Sequence, residues 1–264
     1  MKATVFLGGG RITSALVAGL RLAKYRKPIV VYDRHPRKLQ QLKKQYGVTI
    51  ANELQHALEQ AELLVVAVRP ESLDSLLREM GDVRRPLNAV SLAAGVPLSR
   101  LRARLGSPLR WARAMPSPLC RSGRGLTALT FEPGLPAAAK REVAALFSKV
   151  GSVLEIPESK FDAFTVTYSC SHGYHALNRL AAAGKRIGLS RKIALTAAAH
   201  ALADGILGWR DSEQSLDALL HEATTPGGIA AAVMQAMDDA GYERVIKRGL
   251  IAGIKRTRQN ARRV

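Results

Sequence analysis

Three consecutive glycines, Gly8-Gly9-Gly10, stand between a β-prone run, Ala3 to Leu7, and a stretch of helical spacing that opens at Ser14. Strand, glycine turn and helix together form a seat for a pyrophosphate. Gly8 permits the tight turn, and Gly10 lets the backbone approach the anion. Arg11, Ile12 and Thr13 follow, where the first N–H groups of a helix point at negative charge. Thr13 stands where the fingerprint expects its third glycine, so the match is partial. Asp33 closes the next strand, Ile29-Val30-Val31-Tyr32, 25 positions after Gly8. An acidic side chain there holds ribose hydroxyls, whereas cations hold a 2′-phosphate. Arg34, Arg37 and Lys38 come directly after it. Asp33 points to NAD and Arg34 to NADP, and both remain open. So does a plain role for Asp33 as the cap of a helix from Pro36 to Tyr46.

A second constellation lies far along the chain, at Thr224-Thr225-Pro226-Gly227-Gly228, ahead of the apolar run Ile229-Ala230-Ala231-Ala232-Val233-Met234. Pro226 presets its φ and the two glycines open the backbone before a helix. The N–H groups left without intrahelical partners suit a carboxylate or a phosphate. An ordinary helix start after a turn would read the same way. Ser171, His172, Tyr174 and His175 gather before another helix. A histidine in a cleft can donate a proton near neutral pH, although capping and packing of a helix start account for these residues equally.

The elements that must position these groups follow from hydrophobic pattern. Leu63 to Val68 is a continuous apolar run suited to a buried parallel strand, and it stops at Arg69-Pro70. Ala89 to Gly95 is another strand, ending in small residues. Strands alternating with helices predict a doubly wound parallel sheet. Ligands bind beyond the carboxyl ends of such strands. Gly8 to Thr13, Asp33, Arg69-Pro70 and Ala93-Ala94-Gly95 all fall at such ends. A helix over Ala137–Lys149 and a strand over Gly151–Ile156 complete the first half, with a boundary near Pro157. From Lys160 onward the periodicity is helical and Ala-rich. Ala181 to Gly184 and Ala197 to Ala199 are expected to make close helix contacts. The run of basic residues from Lys255 to Arg263 reads as a solvated helix end.

The 264 residues suffice for one large domain or two modest ones, each with a real core. A net charge of +19 favours anionic partners but does not choose among nucleotides, acidic substrates and nucleic acid. No helix-turn-helix, zinc or RNA-binding signature supports nucleic acid. Two cysteines, Cys120 and Cys170, exclude a disulfide framework and a Cys-rich metal site. With neither a signal-peptide pattern nor an apolar run of membrane length, a cytoplasmic location is expected.

Several short motifs, in order, resemble the pyrroline-5-carboxylate reductases. They are Gly8-x-Gly10, Ala67-Val68-Arg69-Pro70, Ser91-x-Ala93-Ala94-Gly95, Arg113-x-Met115-Pro116, Gly125-x-Thr127 and Thr225-Pro226-Gly227-Gly228. The resemblance implies an N-terminal Rossmann-like domain over residues 1–157 and an all-helical dimerisation and substrate domain over residues 158–264. It implies NADP or NAD as cofactor, held by the residues from Gly8 to Thr13, Asp33, Arg34, Ala67 to Pro70 and Ala93 to Gly95. It also implies a homodimer, with dimers sometimes gathered into a larger ring. The activity implied is reduction of a cyclic imine to proline, the substrate carboxylate resting on the turn from Thr225 to Gly228 with Ile229 and Ala230 behind it. The reading requires that turn to face the glycine cradle.

Departures from the pattern matter as much. Arg69 replaces the family's lysine, and Ser117-Pro118-Leu119 replace its Asn-Thr-Pro. Tyr168 to Tyr174 keep only part of a Ser/Gly-rich segment. The threonine that would contact the imine nitrogen falls on Ala230, which carries no hydroxyl. Thr224, Thr225, Ser171 and His172 are the groups left to supply a proton. Two alternatives follow: a reductase of a different cyclic imine or 2-oxo acid, or a non-catalytic nucleotide-binding protein with a basic surface.

Overall fold

The computed structural model describes residues 2–264, and continuous apolar runs organise its first half. β1 (Ala3–Leu7) leads through the glycines into α1 (Arg11–Leu22), and β2 (Ile29–Tyr32) leads into α2 (Pro36–Tyr46) and a two-residue β3 (Thr49–Ile50). α3 (Leu54–Gln60), β4 (Ala61–Val66), α4 (Pro70–Met80), β5 (Leu87–Ser91) and α5 (Leu98–Arg104) continue the alternation. β6 (Leu109–Pro116), β7 (Gly125–Phe131), α6 (Ala137–Ser148) and β8 (Gly151–Glu155) follow. Every residue of β1 is buried, because helices cover both faces of the sheet. One face packs Val5 and Leu64 against α3, α4 and α5; the other packs Phe6 and Val65 against α1, α2 and α6.

The strands lie in the order β3-β2-β1-β4-β5-β6-β7-β8. β6 and β7 are antiparallel, Ala112 lying opposite Phe131 and Pro116 opposite Thr127. The other neighbouring pairs are parallel. The expected doubly wound sheet is therefore present, with one reversal. Its cause is a short return, the 3-10 turn Pro118–Ser122, which leaves no length for a crossover helix. That turn lies hard against α1: a Cβ on Gly19 would sit 2.0 Å from the Cys120 carbonyl oxygen.

The second half is helical: α7 (Glu158–Thr167), α8 (Cys170–Arg186), α9 (Arg191–Asp211), α10 (Leu216–Ala223), α11 (Ile229–Asp239) and α12 (Tyr242–Ala261). Two compact units result, the first running through Val166 and taking back Gly253–Val264, the second comprising Thr167–Ala252. Relative to a division at 157/158, α7 shifts into the first unit, and the last turns of α12 return to it. The physical reason for the first shift is Arg113 on β6, which is 2% exposed. Its guanidinium donates to Glu158 at 2.9 Å and to Asp162 at 2.8 Å, and lies 4.4 Å from the centre of the Phe161 ring. Glu158 also accepts the Leu98 N–H at 2.9 Å. These contacts clamp α7 to the sheet unit.

The basic C-terminal run is likewise not a solvated end. Thr257 is buried against Gly95, Asn260 donates to the Ala94 carbonyl at 3.1 Å, and Arg104 donates to the Val264 carbonyl at 2.7 Å. Cations on its outer face stay in water while the inner face packs.

In the second unit α8 and α9 approach closely. A Cβ on Gly184 would stand 3.4 Å from the Ala194 side chain, so Gly184 serves packing within this unit, while Ala182 and Ala183 of the same run are exposed. Apart from Gly241, Ala194 and Ala198 are the buried positions among the described residues 167–252.

Candidate functional site

A cleft of about 750 Å3 opens beyond the carboxyl ends of β1, β2, β4 and β5. Gly8, Gly10, Arg11 and Ile12 form one wall. Asp33, Arg34, His35 and Lys38 line it after β2, while Ala67, Val68, Arg69 and Pro70 line it after β4. Ala94 contributes from the end of β5. These sequence-predicted residues are brought together within the first unit. Thr13, Ala93 and Gly95 are not in the lining. Thr13 is fully buried and donates its hydroxyl to the Gly8 carbonyl at 2.5 Å, bracing the turn from behind. Ala93 is buried in the core. Gly95, at φ +79, lies under α12, where a Cβ would come within 2.6 Å of the Thr257 Cα. Their role is to shape the wall.

The cleft fits a dinucleotide on its own evidence. Gly8 holds φ +111, and a Cβ there would stand 2.6 Å from the Ala67 carbonyl oxygen, so only glycine lets β1 and β4 end this close together. Gly10 caps α1 without a side-chain hydrogen bond, and no acidic residue occupies the first turn. The space beside Gly10 is open. The N–H groups at this helix start, with exposed Arg11 beside them, make a seat for a pyrophosphate.

Asp33 is held by its neighbours on both oxygens. Oδ2 accepts the Gly9 N–H at 2.7 Å; Oδ1 accepts the His35 N–H at 2.8 Å and faces His35 Nδ1 at the same distance. Burial pushes this carboxyl upward, but the Gly9 and His35 N–H groups, the His35 ring and Lys38 outweigh it and hold it below the usual carboxylate range. Arg34 turns to α4, where it donates to Ser75 at 2.7 Å and pairs with Glu79. His35 is a lining residue that motif reading missed. Its signal was available in Asp33-Arg34-His35-Pro36, where an aspartate accepts from the N–H two residues on, ahead of a helix with Pro at its start.

The second constellation belongs to the second unit. Gly228 donates to the Thr225 carbonyl at 2.9 Å, and Gly227 takes φ +77, closing a type II turn around Pro226. Gly228 caps α11 without a side-chain bond, and the first turn holds no acidic residue. Thr225, Pro226, Gly227 and Ile229 are exposed, while Thr224, Gly228 and Ala230 are half-buried. The Thr224 hydroxyl donates to the Leu220 carbonyl at 2.5 Å. Ser171 and His172 are exposed in the first turn of α8, with the Ser171 hydroxyl 2.6 Å from that of Ser169.

A Rossmann-type sheet with an anion-seating glycine turn, carrying an appended helical unit, defines a nucleotide-dependent oxidoreductase. Residues 4–95 match the family described as NADP oxidoreductase coenzyme F420-dependent, and residues 158–260 match pyrroline-5-carboxylate reductase dimerisation. The chain is 34% identical to pyrroline-5-carboxylate reductase of Thermus thermophilus over 91% of this chain and 93% of the relative. It is 32% identical to the Synechocystis enzyme of the same name, over 96% of each. The crystal structure of Plasmodium falciparum pyrroline carboxylate reductase with NADP bound has the same fold, with a TM-score of 0.85 at 21% identity and 98% coverage of both chains. The chain belongs to the pyrroline-5-carboxylate reductase family.

Proposed function

We propose that this chain is an NAD(P)H-dependent reductase that converts pyrroline-5-carboxylate to proline. The observation that carries the reading is the pairing, in one chain, of the dinucleotide cleft with a second anion seat at Thr225–Gly228, in a sequence similar to reductases of that name over nearly its whole length. The dihydronicotinamide supplies a hydride. The remaining demands fall on the chain. The first N–H groups of α11 hold the substrate carboxylate, a position that a helix dipole favours by about 0.3–1 kcal/mol. Holding a reacting group in place in this way supplies much of an enzyme's rate.

The imine nitrogen needs a proton, and Ala230 brings only a methyl group. Thr224 already spends its hydroxyl on Leu220. Thr225 is the adjacent exposed hydroxyl on the turn, and we assign the proton contact to it. Ser171 and His172 are the next groups to test. The helical unit works as a homodimer, a reading supported by the dimerisation match over residues 158–260 and by its exposed Ile206, Leu207 and Trp209. Gathering of dimers into a larger ring is the further state that the family resemblance implies, and light scattering of the purified protein reads both. No described helix is long and apolar enough to cross a membrane. A cytoplasmic place of work is supported by two cysteines that form no disulfide.

The test is reduced-nucleotide oxidation with pyrroline-5-carboxylate beside a panel of cyclic imino acids and 2-oxo acids. Turnover of pyrroline-5-carboxylate well above the others is expected. Thr225→Val should lower kcat by roughly 100-fold, the lower end of general acid effects, with coenzyme affinity unchanged. Turnover confined to a different ring would favour the second reading, which the missing hydroxyl at Ala230 motivates.

A further inference from the structure

The rim of the cleft after β2 carries a choice between two coenzymes, and the arrangement of charge there decides it. Asp33 ends β2, and its side chain is 9% exposed. Both oxygens are anchored by backbone N–H groups, so the carboxylate cannot swing out of the cleft without leaving Gly9 and His35 unpaired. A carboxylate offers about four acceptor positions, and Gly9 and His35 take three of them at hydrogen-bond distance. One of those three donors is the His35 ring, itself 69% exposed and free to yield. Acceptor capacity for hydroxyl groups is therefore at hand, in a fixed place, on a group that carries negative charge.

The two cations of that run that line the cleft, Lys38 and Arg34, are already matched. Lys38 Nζ stands 3.6 Å from Asp33 Oδ2. Arg34, which a 2′-phosphate would need, turns away to pair with Glu79 and to donate to Ser75 on α4. Asp33 and Glu79 thus balance Lys38 and Arg34 one for one. A phosphate placed here meets the Asp33 carboxylate first and would have to break an existing pair to gain Lys38 or Arg34, while Arg37, the remaining cation of the run, stands outside the cleft lining.

We propose that Asp33 makes this enzyme select the coenzyme with a free ribose 2′-hydroxyl, NADH, over its 2′-phosphorylated counterpart, and that the Arg34–Glu79 pair reinforces the choice. The inference rests on the reductase reading given above but asks a separate question of the same cleft. Asp33 is a specificity-determining residue here, not a participant in hydride or proton movement.

Equilibrium binding of NADH and NADPH to the full chain, read by protein fluorescence without substrate, tests it. The native protein should bind NADH at least tenfold more tightly than NADPH. Asp33→Asn keeps the size and removes the charge; it should weaken NADH and tighten NADPH, moving their ratio tenfold or more. A merely structural role would weaken both equally, and that result would overturn the assignment. Glu79→Gln lies on the exposed side of α4 and leaves the glycine turn untouched. It should tighten NADPH several-fold by releasing Arg34, with NADH within twofold of native. An unchanged NADPH affinity in that variant would overturn the part assigned to the Arg34 pair. NADPH binding as tight as NADH in the native chain would overturn the selectivity alone. Failure to bind either nucleotide would overturn the reductase reading together with it.

Discussion

Trp111, Phe6, Phe147 and Phe161 are fully buried in the first unit, whereas in the second Trp209 is 49%, Ile206 56% and Tyr174 72% exposed. α8, α10 and α11 have no buried residue at all. Both units have ordinary apolar content and regular elements, so the contrast does not lie in local propensity. It lies in where the covering surface comes from. The sheet unit supplies both layers of its own core. The helical unit leaves apolar faces of a size that soluble chains rarely show to water, and a second copy is what completes them.

That contrast can be broken most forcefully from the sheet side. Arg113→Met should remove about 3 kcal/mol of stability, the low end for breaking a buried ion pair because Glu158 and Asp162 stay a third exposed. Urea unfolding followed by Trp111 fluorescence in a Trp209→Phe background checks it, and a loss under about 1 kcal/mol would show that the clamp on α7 is dispensable. On the helical side, Leu207→Asp should weaken self-association by about 100-fold, as loss of a central apolar contact does. Sedimentation velocity reads that shift, while near-ultraviolet circular dichroism from the sheet unit should stay native. If the sheet unit melts with the dimer, the two units are less independent than their cores suggest.

Each unit also holds one cysteine, which sharpens the comparison. Burial pushes the Cys120 thiol up to about 11, so alkylation at pH 8 should reach it only when the sheet unit opens. Half-buried Cys170 should be labelled from the folded protein. Mass spectrometry of partly labelled protein separates the two sites, and early labelling of Cys120 would contradict a closed core.

The smallest expected effect is that of pH on Asp33. Its folded pKa lies below the unfolded value, so its stabilising contribution is complete above the ordinary carboxylate range and is lost as pH falls through the folded pKa. Asp33→Asn should flatten the acid limb of the stability curve below about pH 4 and leave the neutral region parallel to native.

Much of this was legible in the chain. β1, β2 and β4 read directly because strands buried on both faces are unbroken apolar runs, and the cleft residues followed from where those runs end. β6 was missed because Arg110 and Arg113 interrupt its pattern. Nothing local announces that Arg113 is buried, since its partners Glu158 and Asp162 lie far along the sequence. β7 was missed because Thr127 and Thr130 are buried polar residues on a strand that runs against its neighbour. The basic tail misled for a related reason: its charge dominated the reading, while Thr257, Asn260 and Val264, spaced three and four apart, mark an inward face. The turn at Pro226 was legible because proline and two glycines leave few alternatives. The number of buried side chains in its unit was not, because burial there depends on a surface that this chain does not supply to itself.

Since residues from both termini build the sheet unit, the helices from Thr167 to Ala252 form an insertion within it. α12 (Tyr242–Ala261) carries the chain back from that insertion, so one continuous helix belongs to both units. A rotation or stretch of that helix is therefore felt at once where it shelters Gly95 and where it leaves the helical unit, which makes α12 a shared rod rather than a hinge.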